Sequence, residues 1–243
     1  MTQIAIVVYP RFTALDLVGP YEVLRGLPGA DIRFVAHEPG PVVADSGVLA
    51  IGATHAFDET PSPDIVLVPG GPGSASAARD EGLLSWLRTV SPGADWTASV
   101  CTGSVVLAAA GLLEGRRATT HWSSLRLLPM FGAVAVDDER IVVEADRRIA
   151  TAADVSAGID LALWLAAQVA GEDRARAIQL MIEYDPQPPF DSGQRSKASK
   201  STVAASTALL SRDLIEPTTM ADGVVLAWQG TLATIRRKAR RRR

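Results

Sequence analysis

Two stretches of this chain are apolar almost without interruption, Gln3–Tyr9 (QIAIVVY) and Asp64–Pro69 (DIVLVP). A strand with one wet face alternates apolar and polar residues, whereas a strand covered on both faces does not. Such runs therefore mark parallel strands sandwiched between helices, and the first is expected to be central. A third buried strand is expected over Trp96–Val100, leading into Cys101 and an alanine-rich apolar helix over Val105–Leu113. At 243 residues and 47% hydrophobic, the chain has the material for one large core, so a single α/β domain is expected.

Cys101 is the only cysteine, which excludes an internal disulfide framework and any multi-cysteine zinc site. It falls at a strand-to-helix turn, with Gly103 permitting the tight bend. Such turns lift a side chain clear of the sheet and place it beside the free N–H groups of a helix start, which favour negative charge. The thiol is accordingly expected to be acidic and nucleophilic. The competing reading is a small buried hydrophobe, the ordinary state of a free cysteine.

Other residues join Cys101 through position. A helix is expected over Ala14–Leu24, interrupted or re-entered at Gly19-Pro20, and it places Asp16 near the carboxyl ends of the strands, where α/β folds bind ligands. Asp16 could equally serve only as a helix-start cap. Pro69-Gly70-Gly71-Pro72-Gly73 closes the second apolar strand, and its glycines allow close backbone approach and inward-turned N–H groups, as in an anion nest. It matches neither nucleotide-binding glycine pattern. His121 reads either as a base approaching Cys101 or as a structural histidine. No spacing of His, Cys, Asp and Glu resembles a metal site.

The remaining elements frame these residues. A strand over Asp31–His37, a hairpin around Asp45-Ser46-Gly47 and a helix over Leu83–Val90 are expected. Ala118–His121 reads as a strand and Trp122–Leu128 as a helix. Ala133–Val136, Ile141–Glu144 and Arg148–Thr151 read as a meander turning at Asp137-Asp138. Asp154–Val169 is an amphipathic helix with Asp154 or Ser156 as N-cap and Gly171 past its end, and Glu172–Ile182 continues as another. The prolines of Glu183–Gly193 (EYDPQPPFDSG) force an extended surface segment, a candidate pocket rim or partner-facing loop. Helical patterning returns over Thr202–Leu214 and Val224–Ile235. Seven Lys and Arg residues from Arg236 to Arg243 carry +7 in a chain of net charge −3, leaving the rest near −10. That basic tail lacks interleaved aromatics and a helix-turn-helix pattern, so nucleic-acid binding is not expected. No apolar run approaches the about 18 residues of a membrane span, and no secretory leader is visible, so a cytoplasmic protein is expected.

The order of strand, acidic helix start, strand ending in Pro-Gly-Gly-Pro-Gly, and strand-Cys-helix resembles the DJ-1/PfpI superfamily, over about Ile4–Ala170. TALDLVGPYEVL, VPGGPG, SVCTGSVVLAAAGLLEGRRATTHW and IQLMIEYDPQPPFDSG together resemble its isonitrile hydratase branch, the last being the most discriminating. The resemblance implies a flavodoxin-like three-layer α/β/α sandwich with a mostly parallel sheet and a cysteine nucleophile elbow. It implies a catalytic domain over 1–195 and a helical extension with a basic tail over 196–243. Cys101 would attack the terminal carbon of an isonitrile to form a thioimidate, which water converts to an N-substituted formamide. Asp16 would carry the proton, sharing it with Cys101 as a coupled pair. Backbone N–H groups at Gly70, Gly71 and Thr102 would hold the polarised substrate. Thr102 stands where protease-like relatives have histidine, which argues against a Cys-His peptidase.

One nucleophile and one proton carrier suffice for this chemistry, so no metal or cofactor is expected. A homodimer with the cysteine near its interface is implied. Two other readings use the same residues: glyoxalase-like or other Cys-dependent hydrolysis, and a non-enzymatic stress, redox or ligand sensor related to the sensor domains of AraC-type regulators.

Overall fold

A computed structural model of the chain describes residues 1–214 together with Leu226 and Gly230. The unalternating runs form the middle of a seven-stranded sheet. β1 (Thr2–Val7) leads to α1 (Ala14–Leu24), β2 (Ala30–Ala36), the hairpin β3 (Gly40–Val43) and β4 (Ala50–Ala53), and the short β5 (His55–Ala56). Next come β6 (Ile65–Val68), α2 (Ser74–Ala77), α3 (Glu81–Val90), β7 (Trp96–Val100) and α4 (Gly103–Ala109). β8 (Arg117–Ala118), β9 (Val134–Ala135), β10 (Ile141–Glu144), β11 (Ile149–Ala152), α5 (Ala157–Ala170), α6 (Glu172–Met181) and α7 (Lys200–Leu214) complete the described strands and α-helices.

The sheet runs β10-β11-β7-β6-β1-β2-β5, parallel except where β10 meets β11. All four residues of β6 are buried, as are Ile4 to Val7 of β1, which is what covering both faces requires. α1 packs on α5 and α5 on α6, while α4 packs with α2 and α3, giving the three layers expected. The sheet order places β1, β6 and β7 side by side, so their carboxyl ends present Asp16, the Pro-Gly-Gly stretch and Cys101 to one another.

Several local expectations are overturned. α1 runs unbroken through Gly19-Pro20. Pro20 lacks the N–H that would close a helical bond and by itself weakens the helix. Tertiary packing offsets this: a Cβ on Gly19 would stand 3.0 Å from Ile159, and one on Gly158 would stand 3.2 Å from Pro20, so α1 and α5 are held in close contact through two glycines. α4 ends at Ala109 rather than Leu113, because Gly111 turns left-handed at φ +84°. The helix expected over Trp122–Leu128 is instead a 3-10 run, Leu125–Phe131, with Pro129 inside it. β8 covers only Arg117–Ala118, so Thr119–His121 is not strand. The expected meander separates: β9 pairs in parallel with β8, while β10 and β11 form an antiparallel pair that joins the main sheet. Ser156 is the N-cap residue of α5, as expected, though its side chain makes no capping bond.

Glu183–Gly193 carries no regular structure and is mostly exposed. Leu226 is buried in the core, and Gly230 lies against Met130 and Phe131. The rest of the helix expected over Val224–Ile235 and the basic tail lie outside the described residues.

Candidate active site

Cys101 adopts φ +55°, a left-handed conformation that costs a non-glycine residue about 1–2 kcal/mol. Three bonds hold it there. Its N–H donates to the Ala152 carbonyl at 3.0 Å, and its own carbonyl accepts the Thr120 hydroxyl at 2.9 Å and the Ser104 hydroxyl at 3.2 Å. The strand-to-helix elbow read from the sequence is thus present as a strained, over-determined turn. Gly103 is needed beneath it, since a Cβ there would overlap the Val68 carbonyl oxygen where α4 starts against β6.

Asp16 sits in the first turn of α1 and is fully buried. Its Oδ2 accepts the Gly70 N–H at 2.9 Å, and its carboxyl hydrogen-bonds the Cys101 thiol. Oδ1 is buried with no hydrogen-bond partner among the described residues. Burial pushes the carboxyl up to about 7, against the pull of the Gly70 amide, with Asp45 and Asp154 adding to the rise. Near neutral pH the carboxyl is therefore about half protonated.

The expectation of an acidic thiol is corrected. Burial raises the Cys101 thiol well above its ordinary range, and the Asp16 carboxylate raises it further. The amide and hydroxyl of Thr102 donate to the sulfur and oppose this, but do not overcome it. A helix start contributes at most about 2 kcal/mol, whereas taking an anion out of water costs several. Cys101 is only 6% exposed, so an exposed, oxidation-prone thiolate is not what the fold provides.

The glycines of the nest are already engaged. Gly70 N–H belongs to Asp16, and Gly71 N–H donates to the Thr102 hydroxyl at 2.9 Å. The Thr102 hydroxyl has one proton to give, either to the sulfur or to the Gly71 carbonyl at 3.3 Å. Gly70 has no room for a side chain, since a Cβ would lie 2.5 Å from the Thr102 nitrogen and 2.8 Å from Asp16 Oδ2. Gly71 holds φ +136° against the Arg11–Thr13 loop. Asp16, Gly70, Gly71, Cys101 and Thr102 therefore converge. His121 instead bonds the Ser123 hydroxyl at 2.7 Å, and burial pushes its imidazole down toward the neutral form.

Three further residues bear on the site. Tyr9 donates to the Pro69 carbonyl at 2.7 Å, and burial together with the charges of Asp16 and Cys101 holds its phenol neutral. Thr120 props the elbow, and Asp154 adds to the rise of the Asp16 carboxyl. The sequence shows these only as a strand end, a strand residue and a possible helix cap. No helix among the described residues is long and apolar enough to cross a membrane.

The chain is similar to several known proteins. The chain is 43% identical over 201 residues to an isonitrile hydratase from Pseudomonas putida, covering 83% of this chain and 86% of that one. It is 32% identical to the HTH-type transcriptional regulator CdhR of Pseudomonas aeruginosa over 68% of its own length and 50% of the regulator's. A THiJ/PfpI family protein from Pseudomonas syringae superposes with a TM-score of 0.84 at 37% identity, over 93% of this chain and 90% of that one. The model of the DJ-1/PfpI family matches residues 2–168, and the chain belongs to that family.

Proposed function

We propose that the protein is an isonitrile hydratase that converts R–NC and water to R–NH–CHO through a covalent bond to Cys101. The observation that carries this reading is the buried meeting of Asp16 and Cys101 at the elbow, in a chain 43% identical over most of its length to an isonitrile hydratase. The sulfur bonds to the terminal isonitrile carbon while the shared proton is delivered to that same carbon, leaving a thioimidate, R–N=CH–S. Water then adds to the carbon, and a proton reaches nitrogen. The C–S bond breaks with its electrons returning to sulfur, the hydroxyl proton passes back to the Asp16–Cys101 pair, and the formamide departs.

The raised carboxyl suits this sequence, because a group titrating at about 7 can both give and take the proton near neutral pH. Thr102 donates to sulfur when it carries charge. Oδ1 of Asp16, buried and without a partner, is the atom from which a proton moves to substrate or water. Because the Gly70 and Gly71 amides already have acceptors, the polarised substrate is held by Thr102 first.

We read the working molecule as a cytoplasmic homodimer, in keeping with the family resemblance. The exposed apolar side chains Leu15, Val48 and Leu49 supply surface for such contact. The test of function is incubation with cyclohexyl isocyanide and detection of N-cyclohexylformamide, with Cys101→Ala alongside. Formamide from the wild type and none from the variant supports the reading, and equal product from both overturns it.

A further inference from the structure

Beside the elbow lies a cavity of about 500 Å³ that the mechanism above leaves unused. Its connection to the sulfur runs through two residues. Thr120 lines it and bonds the Cys101 carbonyl, and Ala153 lines it next to Ala152, which accepts the Cys101 N–H. Trp122 and Leu125 form an apolar side. The segment following the proline-rich stretch supplies the outer wall, where Arg195 stands over the Trp122 ring at 5.8 Å.

The charges around the cavity bear on what can enter. Arg140 is held by Asp160 at 2.5 Å and Ser156 at 3.1 Å, so it is not free to bind an anion. Tyr184, from the same proline-rich stretch, donates to the other Asp160 oxygen at 2.9 Å and ties that stretch to α5. Asp137 and Asp138 line the cavity without an ion pair among the described residues. Asp137 and Asp138 outweigh the one cation left among the described lining residues, Arg195, which lies over the Trp122 ring, so an anionic ligand group is disfavoured, and the Trp122 face favours hydrocarbon.

We propose that this cavity receives the substituent R of the isonitrile, and that Trp122 with Arg195 sets its preference for an uncharged, ring-sized group. The inference rests on the hydratase reading. An isonitrile is linear, so its substituent projects away from the attacked carbon. Asp16 and Thr102 act on the sulfur, and Thr120 and Ala153, each one bond from the Cys101 backbone or its partner, place the cavity beside the elbow. The proline-rich stretch thereby gains a role, since Tyr184 pins it to α5 and the residues that follow present Arg195 as a wall.

The experiment compares methyl isocyanide, which has almost no substituent, with cyclohexyl isocyanide in wild type, Trp122→Ala, Trp122→Phe and Arg195→Ala. Trp122→Ala should raise KM for the cyclohexyl substrate about tenfold, with kcat and all methyl isocyanide kinetics little changed and with Trp122→Phe restoring most of the loss. Arg195→Ala, at an exposed position, should raise the cyclohexyl KM about threefold by the same selectivity, and it decides the matter should Trp122→Ala fail to fold. Loss of both substrates together, or no change in either, overturns the cavity's role while leaving the hydratase reading intact. A wild type that turns over neither substrate overturns the hydratase reading and this inference with it.

Discussion

The Gly70 amide donates to Asp16 Oδ2 at 2.9 Å across 54 residues of chain and leaves Oδ1 buried without a partner. One oxygen is thus fixed and the other kept available, which is the arrangement a proton carrier needs. Asp16→Asn keeps the shape and loses the titrating proton. Turnover of cyclohexyl isocyanide should fall at least about 100-fold in this variant, read as kcat from formamide release. A loss under about threefold would remove Asp16 from the mechanism.

Stability should depend on Asp16 in a stated direction. The carboxyl titrates at about 7 when folded and at 3.8 when free, so between those values the folded chain holds the extra proton. Its contribution is complete below about pH 4 and is lost as pH rises through about 7, amounting to about 4 kcal/mol across that window. Urea denaturation at pH 5 and pH 8 should show wild type losing stability relative to Asp16→Asn, because the amide cannot ionise. Parallel curves for the two proteins would contradict the raised carboxyl.

Thiol reactivity should follow the same pair. The Asp16 carboxylate holds the Cys101 proton in place, so wild type should react slowly with iodoacetamide at pH 7.5, and faster as pH rises toward 10. Asp16→Asn removes the charge and should accelerate alkylation at pH 7.5 by about tenfold. Mass spectrometry of the modified chain reads both rates.

Gly70→Ala is expected to disable the site with most of the fold retained. The added methyl meets the Thr102 nitrogen at 2.5 Å and Asp16 Oδ2 at 2.8 Å, so the carboxyl or α4 must shift. Overpacking of this kind costs about 1–3 kcal/mol. Thermal melting should show that loss, and formamide production should fall far more than the melting temperature suggests.

His121→Gln should leave kcat within about threefold of wild type, since its ring nitrogen is engaged by Ser123 rather than by the sulfur. A hundredfold loss would restore the histidine as a base and recast the mechanism as a Cys-His one.

How far the chain alone reveals this molecule follows from the range of the forces involved. Burial on both faces of a strand is written into consecutive residues, so the runs containing Ile4–Val7 and Ile65–Val68 declared a parallel sheet. The elbow at Cys101 and the glycines after Val68 were legible for the same reason, being local turns made by the residues that occupy them. The continuity of α1 through Pro20, the pairing of β9 with β8 and the 3-10 run around Pro129 were not, because distant contacts outweigh local preference in each. The proton affinity of the site lay furthest from reach. A helix start argued for an acidic thiol, yet the thiol is raised by the water removed from around it and by a carboxylate 85 positions earlier in the chain. Sequence therefore determined which residues meet at the carboxyl ends of the strands, while only the folded whole decided which of them hold protons and which amides remain free. Desolvation and charge are sums over everything nearby in space, and neighbourhood in space is what a linear chain does not spell out.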